Sequence, residues 1–295
     1  MTILDALARR IVVEEDRRTL RVTGKDAVTW LNGLVTCDVA SADGRRAVYG
    51  LLLTKQGKVV TDLEVVKSDA ALLLGIDATV FDSVRELLDR YLVMEDAELE
   101  SAPELSWLHV VGEEAAQVAS TFAVARGSSD WLRAEGTLLV VRSDQRKDAM
   151  QELTAGGAVR AGASEWELVR LALAFPKFGV DYGSDDNPHQ ASLERRAVSW
   201  TKGCYLGQEV VCMQDMRGRV KRRLVLLEVA RVSPSVGNEV RVASEAEPVG
   251  RITSVASDGE RAFCMAQLRA PFFEGSSELE VLGAPARIVA PKRAG

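Results

Sequence analysis

The sequence predicts an α+β fold in three parts: two ferredoxin-like halves of a duplicated domain, then a small β-barrel. Three observations carry this. A strand–helix–strands–helix order runs through residues 11–94, and a similar order recurs over 107–154. The repeat is architectural, without residue-level identity. After residue 217 the pattern becomes all strand, with six short, turn-separated segments in about 75 residues. At 295 residues the chain is too long for one small core. The divisions expected are 1–100, 101–217 and 218–295.

Residues 11–13 and 19–22 read as a short hairpin. Thr23 with Asp26 approaches a capping box. Ala27, Trp30, Leu31 and Leu34 then recur at helical spacing, so Trp30 belongs to a core. Segments 46–53 and 59–66 pair across a Gly-containing turn at 54–58, and 71–76 is a further strand. Phe81, Val84, Leu88 and Tyr91 lie on one stripe of a helix over 78–94. In the second half, 107–111 is a strand and 113–122 a helix. Segments 131–134 and 137–142 make a hairpin across Glu135 and Gly136, and 144–154 is a helix. Ser164 and Glu167 form a capping box for an apolar helix that ends before Pro176. The loop 177–189 carries Gly, Asp, Asn and Pro and belongs on the surface. Barrel strands are expected at 224–229, 239–242, 249–255, 261–268, 279–282 and 287–289.

Composition excludes several classes. Net charge is −6, so no global field draws nucleic acid or anionic membrane. No apolar run reaches ~18 residues, the length needed to span a bilayer. The amino terminus lacks a basic segment followed by a long apolar one. Cys37, Cys204, Cys212 and Cys264 stand apart without a Cys-x-x-Cys pair, and the histidines are His109 and His189. Neither a zinc site nor a self-contained iron–sulfur site is expected. The reducing cytoplasm is the expected compartment and a monomer the expected state.

The most distinctive stretch is 200–223. Gly203 and Gly207 allow sharp turns and close backbone approach. Gln208, Glu209, Val210 and Val211 read as the first turn of a helix. Cys204 therefore sits just ahead of a helix N-terminus with Lys202 nearby, and both dipole and ammonium favour thiolate. The alternative is a junction cysteine that packs as a small apolar group.

Lys202-Gly203-Cys204-Tyr205-Leu206-Gly207-Gln208-Glu209 resembles the signature of the YgfZ family. These are folate-binding proteins related to the aminomethyltransferase, or T-protein, of the glycine cleavage system. The resemblance extends over blocks: Val22-Thr23-Gly24 with Asp26, residues 31–39, residues 53–59 with Asp62, Phe178-Gly179 with Asp181, and the basic run 217–223. It implies a GcvT-like cloverleaf arrangement of the duplicated domain and tetrahydrofolate or a derivative as cofactor. It places Asp62 at the folate reaction centre and makes Cys204 the key redox or contact residue. The implied binding set is Asp62, Lys202, Gly203, Tyr205, Gln208, Glu209 and Gln190.

A pterin edge offers two adjacent donors, which one carboxylate can accept together. Asp62, Glu194 and Glu209 are the candidate carboxylates. On the residues alone Asp62 reads as an edge or outward-facing side chain. Trp200 and Tyr205 could wall an aromatic slot, with core packing the simpler reading for Trp200. The run 217–223 holds five cations in seven residues. It reads as a solvated rim, or as a contact for a polyglutamyl tail.

There are departures from the family pattern. Ala172 stands where the family carries a pterin-binding glutamate. Gln190 stands where aminomethyltransferases often carry glutamate, and Met213 near a frequent arginine. The resemblance therefore implies an accessory protein rather than a classical enzyme. It would support iron–sulfur proteins or their assembly factors, including enzymes that modify tRNA, without holding a cluster. The alternatives are a folate-dependent aminomethyltransferase, with Asp62 acting on the transferring amine, and an interaction module that has lost folate.

Overall fold

The structure is a computed structural model and describes residues 10–218, 220–230, 232–259, 261–275 and 277–291. In chain order the strands are β1 (Ile11–Glu15), β2 (Arg17–Thr23), β3 (Val48–Leu53), β4 (Val59–Lys67), β5 (Leu72–Asp77), β6 (Glu98–Ser101), β7 (Leu105–Val111), β8 (Ala123–Ser129), β9 (Gly136–Arg142) and β10 (Val159–Arg160). β11 (Arg222–Ala230), β12 (Glu239–Val242), β13 (Gly250–Ser257), β14 (Arg261–Arg269), β15 (Leu279–Val281) and β16 (Ala284–Ile288) follow. The α-helices are α1 (Ala27–Asn32), α2 (Phe81–Arg90), α3 (Arg146–Ala155), α4 (Ala163–Ala172) and α5 (Gln208–Arg217).

Two five-stranded sheets form, in the orders β3-β4-β5-β2-β6 and β10-β1-β7-β9-β8, and β11 to β16 close a barrel. The α+β class and the six-stranded terminal barrel are as the sequence predicts. Apolar alternation divides each sheet between two cores. Leu63, Val65 and Leu74 pack under α1 and α2 with Trp30, Leu31, Phe81 and Val84. Leu108, Val110 and Leu139 pack under α3 with Ala149 and Leu153. The opposite faces share one core with α4 and the barrel residues Leu224, Leu226, Phe263 and Met265. Trp107 of β7 is fully buried there. It donates from Nε1 to Thr19 Oγ1 at 2.9 Å and lies on Gly75 of β5, where a Cβ would stand 3.0 Å from its ring.

Several local expectations are corrected. β1 and β2 do not form a hairpin: β1 pairs with β7 and β10, and β2 with β5 and β6. Asp16 alone separates them, so the chain crosses there from one sheet to the other. The expected helix over 113–122 reduces to a 3-10 turn at Ala115–Gln117, because Glu114 takes φ +56°. β9 pairs with β7 and β8, and 131–134 is a turn, with Arg133 at φ +60°. Neither capping box forms. The Asp26 carboxylate accepts from Asp96 N at 2.8 Å, and Glu167 grips Arg170. Trp200 is 38% exposed rather than core, and its Nε1 donates to Glu194 O at 3.0 Å.

Candidate functional site

The crossing at Asp16 sets Glu15 and Arg17 side by side where the two sheets meet. β4 is an internal strand, and its period of two turns Asp62 and Glu64 to the same face. These two carboxylates are 3% and 2% exposed, which corrects the outward reading of Asp62. β7 brings His109 to the same place from the other sheet. All of these residues line one cavity of about 400 Å³. Its remaining walls include Trp131, Trp166, Phe175 and Phe178, with exposed Lys177 beside them. The lining thus combines buried carboxylates with aromatic rings, Trp131 and Trp166 lying 5.7 and 6.4 Å from the His109 ring.

The electrostatics centre on Arg17. Its guanidinium donates to both oxygens of Asp62, at 2.8 and 3.2 Å. Asp62 also accepts from Tyr49 Oη at 2.9 Å, and Tyr49 lies 3.3 Å from Tyr182 Oη. Burial works against the Arg17 cation, but Asp62 and Glu64 hold it well above its ordinary value. Glu64 is placed differently. Its Oε2 is buried without a hydrogen-bond partner, 3.9 Å from Arg17 Nε. Burial, then the neighbouring Glu15 charge, pushes its carboxyl well above the usual range. Burial would raise Glu15 as well, but its hydrogen bond and charge interaction with His109 hold it below the usual value. His109 meets Glu15 Oε1 through Nδ1 at 3.1 Å and Ser129 Oγ through Nε2 at 2.8 Å. Gly136 makes room for this, since a Cβ there would stand 2.3 Å from Ser129 Oγ.

The cysteine motif lies apart from this cavity, and none of residues 202–209 is among those lining it. The motif docks instead on the loop after α1 and on the turn at 54–57. Lys202 Nζ donates to three backbone carbonyls, of Asn32 (2.6 Å), Val35 (2.6 Å) and Cys37 (2.7 Å). Leu206 N donates to Gly33 O. Gly207 is required, because it takes φ +81° and a Cβ would fall 2.6 Å from Thr54 O. Tyr205 is buried, with its ring 5.2 Å from the Lys202 ammonium. Gly203 is exposed, and Gln208 and Glu209 open α5, Glu209 on the solvent side. Gln190 Oε1 accepts from Asn187 N. Glu194 pairs with Arg223, and Arg222 pairs with Asp186 at 3.0 Å. Arg219 of the basic run lies outside the described residues.

Cys204 is exposed, so the packed-cysteine reading does not hold. Cys37 and Cys264 are buried, and burial pushes both thiols up to about 12. Alkylation of the folded protein followed by peptide mass analysis should therefore label Cys204 first. Cys37 and Cys264 should react only on unfolding. Equal labelling of Cys37 in the native state would contradict this arrangement.

Glu15, Glu64 and His109 were not singled out by sequence. The signal available was the Asp62/Glu64 spacing, which sets two carboxylates on one face of an otherwise apolar strand.

Comparisons with known proteins bear on the whole. Residues 15–135 match the family model described as the GCVT N-terminal domain. The tRNA-modifying protein YgfZ of Colwellia psychrerythraea is 27% identical over 236 residues, covering 75% of this chain and 72% of that protein. The tRNA-modifying protein YgfZ of Yersinia enterocolitica is 27% identical over 242 residues, covering 77% and 73%. The glycine cleavage system aminomethyltransferase T from Bartonella henselae superposes with a TM-score of 0.80 at 16% identity. It covers 98% of this chain and 88% of its own, which shows a shared fold.

Proposed function

Since the chain is a relative of the YgfZ proteins on the fold of an aminomethyltransferase, we propose that it is a folate-binding accessory protein. In this reading it supports iron–sulfur enzymes that modify tRNA, or their assembly factors, in the cytoplasm, as a monomer. The observation that carries the folate reading is the cavity lined jointly by buried carboxylates and by Trp131, Trp166, Phe175 and Phe178. A flat heterocycle with adjacent N–H donors suits such a lining. The cysteine motif would act separately: Lys202 anchors the loop and leaves Cys204 on the surface, where a client protein can reach it.

Two features favour this over one-carbon transfer. Ala172 is fully buried and its methyl accepts no hydrogen bond. Asp62 is already engaged by Arg17 and Tyr49, so acting on an amine would require Arg17 to move aside.

Calorimetric titration with tetrahydrofolate tests the ligand. Micromolar binding is expected, about 8 kcal/mol of binding free energy, weakened at least tenfold in Asp62→Ala. No binding to either protein by two methods would overturn the folate reading. For the cellular role, cells lacking the protein should lose iron–sulfur-dependent tRNA modifications, measured as nucleosides. Wild type should restore them and Cys204→Ser should not.

A further inference from the structure

We propose that Glu15, Glu64 and His109 form a binding site for one divalent first-row transition metal ion on the wall of the cavity. This goes beyond the folate reading and is testable without folate.

The geometry comes from three strands in two sheets. Glu15 ends β1 and His109 lies on β7 of the same sheet, while Glu64 reaches across from β4 of the other. One carboxylate oxygen of each glutamate and one imidazole nitrogen lie within 4.8 Å of one another. Ligand atoms about 2.1 Å from an ion sit roughly 3–3.5 Å apart, so side-chain shifts of about an ångström close the set.

Three further observations point to a cation. First, Glu64 is 2% exposed and lines the cavity, and its Oε2 has no hydrogen-bond partner. A buried carboxylate oxygen left bare is costly unless something occupies it. Second, three carboxylates share one close cation. Glu15, Asp62 and Glu64 surround one guanidinium, Arg17, whose close contacts go to Asp62. Arg17 Nε stands 4.0 Å from Glu15 and 3.9 Å from Glu64. Neither Glu15 nor Glu64 therefore has a close guanidinium contact of its own. Third, Ser129 Oγ engages His109 Nε2 and fixes the ring, which presents Nδ1 toward Glu15. Metal-binding histidines are commonly oriented in this way through the other ring nitrogen.

One imidazole with two carboxylates suits zinc, manganese or ferrous iron. Magnesium and calcium prefer all-oxygen sets. No sequence motif announces the site, because its members are 94 residues apart at the extremes.

The test uses the full-length protein, stripped with a chelator and titrated with Zn²⁺ by calorimetry and with Co²⁺ by visible absorption. One equivalent should bind. Affinity should fall at least tenfold in Glu64→Gln and in His109→Gln, and stay unchanged in Cys204→Ser and His189→Gln. Zn²⁺ should raise the melting temperature of wild type but not of Glu64→Gln. That variant is isosteric with the protonated carboxyl, so its cooperative unfolding provides the folding control. The proposal is overturned by absence of saturable uptake in wild type, by equal uptake in Glu64→Gln and His109→Gln, or by a Co²⁺–thiolate band that disappears in Cys204→Ser.

Discussion

Replacing Arg170 with methionine is expected to destabilise the protein by about 3–5 kcal/mol, because it leaves a buried aspartate without its cation. In a chain of this size that is a fall of roughly 5–15 °C in melting temperature. Arg170 is 2% exposed and Asp181 3%. The guanidinium donates to Asp181 Oδ2 at 2.6 Å, Phe175 O at 2.7 Å, Ser254 Oγ at 2.9 Å and Glu167 Oε2 at 3.0 Å. Burial opposes the cation, but Asp181 and Glu167 outweigh it and hold Arg170 above its ordinary value. Asp181 also accepts from Thr253 and Ser254 of β13, each at 2.6 Å. The cluster therefore joins α4, the 175–181 loop and the barrel at one point. Through the Phe175 carbonyl it also holds Phe175, which lines the cavity. Thermal unfolding of Arg170→Met, Asp181→Asn and the double variant measures the coupling. The double variant should recover part of the loss, since the orphaned charge is gone. Additive losses, or a shift under 2 °C in Arg170→Met, would show that this pair does not hold the joint.

The parts of this architecture legible in the sequence are those fixed by local periodicity. The barrel strands, the helix starting at Gln208, the core role of Trp30 and the turn at Gly207 all follow from spacing and backbone freedom. Period-two alternation says which face a residue takes, but not which strand lies beside it. For that reason β1 and β2 read as a hairpin although each belongs to a different sheet. Lys202 shows the same limit: its position beside Cys204 suggests a charge acting on the thiol, while its ammonium is directed to the carbonyls of Asn32, Val35 and Cys37. The cluster of Glu15, Arg17, Asp62, Glu64 and His109 is assembled by sheet packing alone. Only the Asp62/Glu64 pair left a trace in the linear pattern.

In metal-free protein, Glu64→Gln is expected to become progressively more stable than wild type as pH rises. The Glu64 carboxyl is held well above its ordinary value in the folded state, first by burial and then by Glu15, with Arg17 opposing and Asp62 adding. The folded protein therefore keeps a proton that the unfolded chain releases above about pH 4.5. Protonated Glu64 contributes stability fully below that pH, and the contribution is lost as pH rises toward the folded-state value. The loss runs at about 1.4 kcal/mol per pH unit across that window. Glutamine has no proton to lose, so the two stability curves should meet near pH 4.5 and separate above it. Glu15, held low by His109, titrates with the opposite sign in both proteins, so the comparison largely removes it. Urea midpoints from pH 4.5 to 8 with chelator present make the measurement, and parallel curves would refute it. Zn²⁺ should then reverse the order, stabilising wild type where the carboxylate is ionised and leaving Glu64→Gln unmoved. Three carboxylates around one guanidinium in a buried cavity carry a standing cost at neutral pH. Strongly displaced titration beside an aromatic-walled cavity marks this cluster, more than the cysteine loop, as the place where a ligand would change the energy of the fold.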